Sequence, residues 1–149
     1  MKVALVCSSG GHLAQLHRLE PWWRDHDRLW VTFDTPEAVA LLSGERTVWA
    51  HHPTTRNVGN AVRNLLLARR VLRAERPDVV VSDGAGVAVP FFLVAKLLGI
   101  VTVYIEVIDR IETRTLTGRL VYPLADRFCA QWPEQVELYP RAVDIGALL

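Results

Sequence analysis

The sequence predicts an α/β fold, a Rossmann-like parallel sheet with helices on both faces, and three observations predict it. Short apolar runs alternate with helix-periodic stretches along all 149 residues. Runs such as Val3-Ala4-Leu5-Val6-Cys7 and Val79-Val80-Val81 are apolar at every position, the pattern of strands covered on both faces. Both of these runs end in glycine turns, Ser8-Ser9-Gly10-Gly11-His12 and Asp83-Gly84-Ala85-Gly86. In such sheets ligands bind beyond the carboxyl ends of the strands, where these turns fall.

In chain order the predicted strands are Val3–Cys7, Leu29–Phe33, Thr47–Ala50, Val79–Ser82, Val101–Ile105, Phe128–Gln131 and Ala142–Ile145. Amphipathic stretches between them predict helices over Leu13–Glu20, Pro36–Leu42, Val58–Glu75, Val89–Leu98 and about Thr115–Leu124. The long helix has the clearest signals. Asn57 can cap it, Val58, Val62, Leu65, Leu66 and Leu72 form an apolar stripe beside Arg69 and Arg73, and Arg76-Pro77 ends it. Trp22-Trp23-Arg24 is expected in a loop, either as an exposed aromatic pair facing a membrane or partner, or packed. No repeat, linker or low-complexity segment interrupts residues 1–149, so one domain is expected.

Half the residues are hydrophobic and the formal net charge is +1, which excludes a disordered chain and gives no nucleic-acid signal. Charge is uneven locally. Between Arg56 and Arg76 lie six arginines (Arg56, Arg63, Arg69, Arg70, Arg73, Arg76) and one acid, Glu75, a stretch suited to phosphates, to an anionic membrane surface, or simply to solvent. Cys7 and Cys129 sit in apolar runs without metal-ligand spacing, as buried thiols in a reducing cytoplasm would. A phosphatase loop around Cys7 would need an arginine where Leu13 stands. The amino-terminal apolar run is too short for a signal peptide, and Pro90, Lys96 and Gly99 interrupt the run from Val87 to Ile105 that would otherwise span a bilayer.

Gly10 and Gly11 let the chain turn sharply and let an anion approach the backbone, while His12 stands at the start of the following helix. Its imidazole can serve as a general base, donate to a phosphate, or merely cap the helix. Ser9 belongs to the same turn. Gly84 and Gly86 repeat the device after the central strand, either to hold the same anion or as a tight connection. Glu106 leaves the strand Val101–Ile105 first, and a carboxylate there can act as a base or orient a hydroxyl; Asp109, Arg110 and Glu112 read as loop ion pairs. Arg56 and Asn57 supply a guanidinium for phosphate and a helix cap. G-x-G-x-x-G is absent from both turns, which argues against a nicotinamide or flavin enzyme.

Together Ser8-Ser9-Gly10-Gly11-His12, Ser82-Asp83-Gly84-Ala85-Gly86, Tyr104-Ile105-Glu106, the segment Gly118–Phe128 with Val121-Tyr122-Pro123-Leu124-Ala125-Asp126-Arg127, and Gln131-Trp132-Pro133-Glu134 resemble one family. It is the acceptor-side subunit of the dolichol-linked N-acetylglucosaminyltransferase, with its bacterial relatives in polysaccharide biosynthesis (PssD-like proteins). The amino-terminal half of the lipid-II-forming transferase is a more distant likeness. The resemblance implies the amino-terminal half of a GT-B glycosyltransferase split between two polypeptides. This chain would bind a polyprenyl-diphosphate saccharide, and a separate donor-binding glycosyltransferase subunit would bring the UDP-sugar. No cofactor and no metal are implied.

By motif match, His12 with Gly10 and Gly11 would address the acceptor diphosphate or its hydroxyl, Gly84 and Gly86 would shape the cleft, and Glu106 would position the acceptor or act as base. Asp144, Ile145 and Gly146 would lie where a single-chain enzyme crosses to its donor domain, so residues 144–149 are expected to face the partner. Eukaryotic members begin with a membrane-spanning helix, and no segment here reads as one. A cytoplasmic protein peripheral at the inner face of the membrane is therefore expected, recruited through Arg63, Arg69, Arg70 and Arg73 with Trp22, Trp23 or Phe91–Leu98. The alternative is a non-catalytic adaptor that stabilises a separate transferase.

Overall fold

The computed structural model describes residues 1–149. Seven parallel strands form one sheet: β1 (Lys2–Val6), β2 (Asp27–Thr32), β3 (Thr47–Trp49), β4 (Val79–Ser82), β5 (Val101–Ile105), β6 (Arg127–Ala130) and β7 (Val143–Asp144). Their spatial order is β3-β2-β1-β4-β5-β6-β7. The order reverses between β1 and β4, which pair from Val3↔Val79 to Val6↔Ser82. The connections leaving these two strands therefore go to opposite faces and open a crevice between them.

Residue alternation along the strands builds two cores. Ala4, Val6 and Val80 point beneath α4 (Val58–Glu75), α5 (Ala88–Leu97) and α6 (Leu116–Val121), whereas Val3, Leu5, Val79 and Val81 point beneath α1 (Gly11–His17) and α3 (Pro36–Leu41). β1, β2, β4, β5 and β6 each feed both cores, and the inner runs of β1 and β4 are continuously apolar, as the sequence predicts. Strand and helix boundaries otherwise match to within a few residues, and β4, β5 and α4 match at both ends. β7 is shorter than Ala142–Ile145, pairing with β6 only at Val143 and Asp144. Cys7 and Cys129 are free thiols.

Residues 13–20 do not make one helix. α1 ends at His17, and α2 (Glu20–Trp23) begins separately with Pro21 in its first turn. A continued helix would drive the Pro21 ring into the carbonyl of His17. The expected Trp22-Trp23 loop is thus helical. Trp23 is buried against His17 and Trp30 and donates its Nε1–H to the Leu16 carbonyl at 3.1 Å, leaving only Trp22 exposed. α7 (Pro133–Leu138) is an element the sequence reading lacks, although Pro133 at its first position and Glu134 beside it are start signals.

The apolar stripe of α4 is buried only at its carboxyl end, at Leu72. Val58, Val62, Leu65 and Leu66 face solvent, and the buried residues are Asn60, Asn64, Leu67, Ala68, Val71 and Leu72. The first turns of α4 lie against the backbone after β3 rather than the core. Asn64 bonds both the N–H and the carbonyl of His51 at 2.9 Å, and Asn60 donates to the Pro53 carbonyl at 2.8 Å. Asn57 caps the helix by accepting from the Asn60 N–H at 2.9 Å, a bond worth about 1 kcal/mol.

Candidate functional site

The crevice between β1 and β4 holds a cleft of about 330 Å³ lined by Gly11, His12, Gln15, Asp83, Val107, Ile108, Asp109 and Leu149. Gly10, with φ of +75°, makes the turn out of β1 and hands the chain to α1, whose first residues are Gly11 and His12. His12 Nδ1 lies 3.1 Å from the backbone carbonyl of Asp83. A carbonyl only accepts, so Nδ1 carries the proton and Nε2, which has no hydrogen bond in the protein, is the basic nitrogen of the neutral ring.

The Asp83 side chain is fully buried, with Oδ1 3.6 Å from His12 Nδ1. That separation exceeds a hydrogen bond, and Oδ1 has no other partner. Oδ2 accepts from Gln15 Nε2 at 2.9 Å. Gln15 lies three residues beyond His12, on the same side of α1. Burial pushes the Asp83 carboxyl up to about 6, against the opposing pull of His12 and Gln15. Burial also disfavours the His12 imidazolium, but the side chain and carbonyl of Asp83, together with the charge of Asp109, outweigh it and raise the His12 pKa above its usual value. This is the geometry of a histidine oriented through one nitrogen and available through the other.

Gly84 makes the arrangement possible. Its φ is +121°, and a Cβ there would stand 2.9 Å from the Tyr104 hydroxyl and 3.2 Å from His12 Cε1. The imidazole is seated directly on this backbone. Gly86 serves a different neighbour, because a Cβ there would meet Thr54 Cβ at 2.9 Å. The second glycine turn thus packs His12 on one side and the segment before α4 on the other.

Glu106 is also fully buried, but differently. Its carboxylate accepts from the Tyr139 hydroxyl at 2.7 Å, from the Thr115 hydroxyl at 3.2 Å and from the Val107 N–H at 3.0 Å. Gly118 packs so tightly here that a Cβ would collide with Glu106 Oε2 and the Tyr139 hydroxyl. Burial and the neighbouring Glu106 drive the Tyr139 hydroxyl pKa well upward, so Tyr139 remains a donor.

A line of buried amides links the two regions. Gln131 Nε2 donates to Gln15 Oε1 at 2.7 Å and to the Glu106 carbonyl at 2.9 Å, and Gln131 Oε1 accepts from the Leu148 N–H at 2.9 Å. Gln135 holds the carbonyls of Val107 and Arg110, and the Trp132 indole donates to Ile108. The Gln131-Trp132-Pro133-Glu134 motif is therefore the anchor of the loop that walls the cleft.

Of the sequence-predicted residues, the structure brings His12, Gly11 and the Asp83–Gly86 turn together. Ser9 precedes them without a side-chain hydrogen bond. Arg56, exposed at φ of +50°, and Asn57 lie outside the cleft, on the Thr54 side of the turn. Asp144, Ile145 and Gly146 are exposed at the sheet edge beyond β6; Leu148 returns to bond Gln131, and Leu149 lines the cleft. Gln15 does not figure among the sequence-predicted residues, and Gln131 and Asp83 appear there in motifs without a role; the three-residue step from His12 to Gln15 was the available signal. The chain has one Asp-x-Asp spacing, Asp25-His26-Asp27, but Asp27 opens β2 at the amino-terminal ends of the strands, away from the cleft, and pairs there with Arg46.

The family model for "Oligosaccharide biosynthesis protein Alg14 like" matches residues 35–148. The chain belongs to the Alg14-like family. The resemblance carried by its motifs is thereby confirmed, and with it the class of the protein as a glycosyltransferase subunit. It is 34% identical, over an alignment 182 positions long, to the UDP-N-acetylglucosamine transferase subunit ALG14 of Homo sapiens, covering 100% of this chain and 83% of the human one. The protein of the same name from Yarrowia lipolytica is 26% identical, with 99% and 81% covered.

The Alg14-like sheet also matches solved structures. MurG of Acinetobacter baumannii aligns with a TM-score of 0.72 at 20% identity, covering 89% of this chain and 42% of MurG. A UDP-N-acetylglucosamine 2-epimerase aligns at 0.80 with 12% identity, covering 99% of this chain and 48% of the epimerase. The chain thus spans less than half of each and shares the fold of that part. No helix of the structure is long and apolar enough to cross a membrane.

Proposed function

We propose that this Alg14-like chain is the acceptor-binding and membrane-recruiting half of a two-subunit transferase, with His12 as the base that activates the acceptor. The reaction moves a sugar, N-acetylglucosamine by analogy with the curated relatives, from its UDP donor to a polyprenyl-diphosphate-linked saccharide. The observation that carries this is the His12–Asp83 pair: an exposed-edge imidazole held by a carbonyl at 3.1 Å over a buried carboxylate with one unpartnered oxygen.

In the reaction, His12 Nε2 removes the proton of the acceptor hydroxyl as its oxygen attacks the anomeric carbon. The anomeric C–O bond to the nucleotide breaks, UDP departs with the bonding electron pair, and the imidazolium later returns its proton to solvent. The Asp83 carboxylate favours the charged ring during the transfer. The glycine turns, with Ser9, Gly10, Gly11, Gly84 and Gly86, receive the acceptor diphosphate, with Arg56 and Asn57 at its far side. Glu106 holds the loop from Val107 to Arg110 in place. A donor-binding partner docks on Asp144, Ile145 and Gly146 and closes the cleft. Arg63, Arg69, Arg70 and Arg73 have no carboxylate partner, and they draw the protein to the anionic cytoplasmic face of the membrane.

Reconstitution tests the reading. The chain alone, the donor-side partner alone and the mixture are assayed for transfer from UDP-N-acetylglucosamine to a polyprenyl-diphosphate saccharide. Activity is expected in the mixture only and is expected to vanish with His12→Ala. Full activity of the partner alone would reduce the chain to an adaptor.

A further inference from the structure

Val62 and Leu65, from the exposed apolar stripe of α4, form one wall of an open apolar groove. The groove holds about 360 Å³ and is lined by Val62 and Leu65 of α4, Leu93 of α5, Leu116 and Leu120 of α6, and Gly86. Leu65, Leu93 and Leu120 are 38%, 40% and 49% exposed and Leu116 is 72% exposed, too much apolar surface on adjoining helices to be incidental. Its size is that of a small-molecule pocket.

One end of the groove is defined chemically. Thr54 and Gly86 belong to its lining and pack on each other, and Gly86 lies two residues from Gly84, on which His12 is seated. Those two glycines are at most about 7 Å apart along the chain. A ligand whose diphosphate lies along this turn therefore has His12 on one side and the mouth of the groove on the other. Arg56, two residues past Thr54, is exposed and in no ion pair. The glycine turn and the apolar groove adjoin in the order diphosphate, then hydrocarbon.

We propose that this groove binds the first isoprene units of the acceptor lipid, next to its diphosphate, so that the protein reads the lipid as well as the saccharide. The proposal rests on the acceptor-binding reading above and names a site that reading leaves open. A flat bilayer contact would need exposed side chains on a convex surface. Here the leucines of three helices converge on a channel that starts at the turn.

Calorimetric titration of the full chain in detergent-free buffer tests it, with inorganic pyrophosphate, isopentenyl diphosphate, geranyl diphosphate and farnesyl diphosphate as probes. Affinity is expected to rise about tenfold with each isoprene unit that enters the groove, from the apolar area removed from water. Leu93→Asp and Leu120→Asp, both at exposed positions, are expected to return farnesyl diphosphate to the affinity of pyrophosphate while leaving pyrophosphate binding and thermal melting unchanged. Equal affinity for all four probes would overturn the proposal. So would variants that keep farnesyl diphosphate but lose either anionic phosphatidylglycerol vesicles or the donor-side partner, which would make the face a bilayer or subunit contact. Failure to bind any diphosphate would instead overturn the acceptor reading on which the proposal stands.

Discussion

Asp83 and Glu106 occupy equivalent places in neighbouring strands, each the first residue past its strand and each fully buried, yet they are equipped for different work. Glu106 is surrounded by donors from Tyr139, Thr115 and Val107. Asp83 has one donor, Gln15, and keeps Oδ1 unpartnered beneath an imidazole. A buried carboxylate that is fully hydrogen-bonded braces a fold, because its charge is already compensated. One left short of partners beside a histidine stores an unfavourable arrangement that only a proton or a substrate relieves. Exposure alone does not separate the two; partner count does.

The comparison breaks most visibly at Glu106. Glu106→Ala leaves the Tyr139 and Thr115 hydroxyls without their acceptor in a buried site, and a loss of about 3 kcal/mol or more is expected in denaturant unfolding. An unchanged midpoint would show that the carboxylate braces nothing.

Asp83→Asn should act in the opposite sense on stability. The Asp83 pKa in the folded chain, about 6, lies above its unfolded value. The folded state therefore binds the extra proton, and stability falls as pH rises from about 4 through 6. The raised His12 pKa works in the same direction, its contribution being lost as pH climbs past its folded value. Asparagine removes the Asp83 part, so Asp83→Asn should unfold with a flatter pH dependence and gain up to about 3 kcal/mol at pH 7. Its transfer rate should fall about 10- to 100-fold, and the limb on which activity rises with His12 deprotonation should move to lower pH. A profile superimposable on the parent's would separate Asp83 from His12.

The glycines sharpen the contrast on a smaller scale. Gly84→Ala adds strain at φ of +121° and a contact with His12, so a loss of about 1–3 kcal/mol with displaced activity is expected. Gly11→Ala meets open space and should change the melting temperature little, since alanine is the better helix former. Equal effects at the two positions would mean that Gly84 is not the seat of the imidazole.

The sheet was legible because parallel strands covered on both faces are apolar throughout, a signal that survives without tertiary information. The ends of α4 were legible for a local reason, Asn57 at one end and Arg76-Pro77 at the other. Its face was not, because Asn60 and Asn64 are buried by bonding the chain after β3, a long-range fact that reverses the meaning of the apolar stripe. In the site, the glycine turns and His12 announced themselves by residue type and position after a strand. Asp83 and Glu106 look alike in sequence, and only the helices above them decide which receives donors. Gln15 and Gln131 are separated by 116 residues and meet in a single 2.7 Å bond, which no local pattern encodes.

The most direct test compares His12→Ala with Glu106→Gln in the reconstituted two-subunit transferase, reading kcat beside thermal melting. The account predicts at least a 100-fold loss of kcat in His12→Ala at an unchanged melting temperature, in keeping with removal of a general base. Glu106→Gln should melt lower while retaining kcat to within about threefold below its transition. A transferase that tolerates His12→Ala but loses its turnover, fully folded, with Glu106→Gln would contradict it.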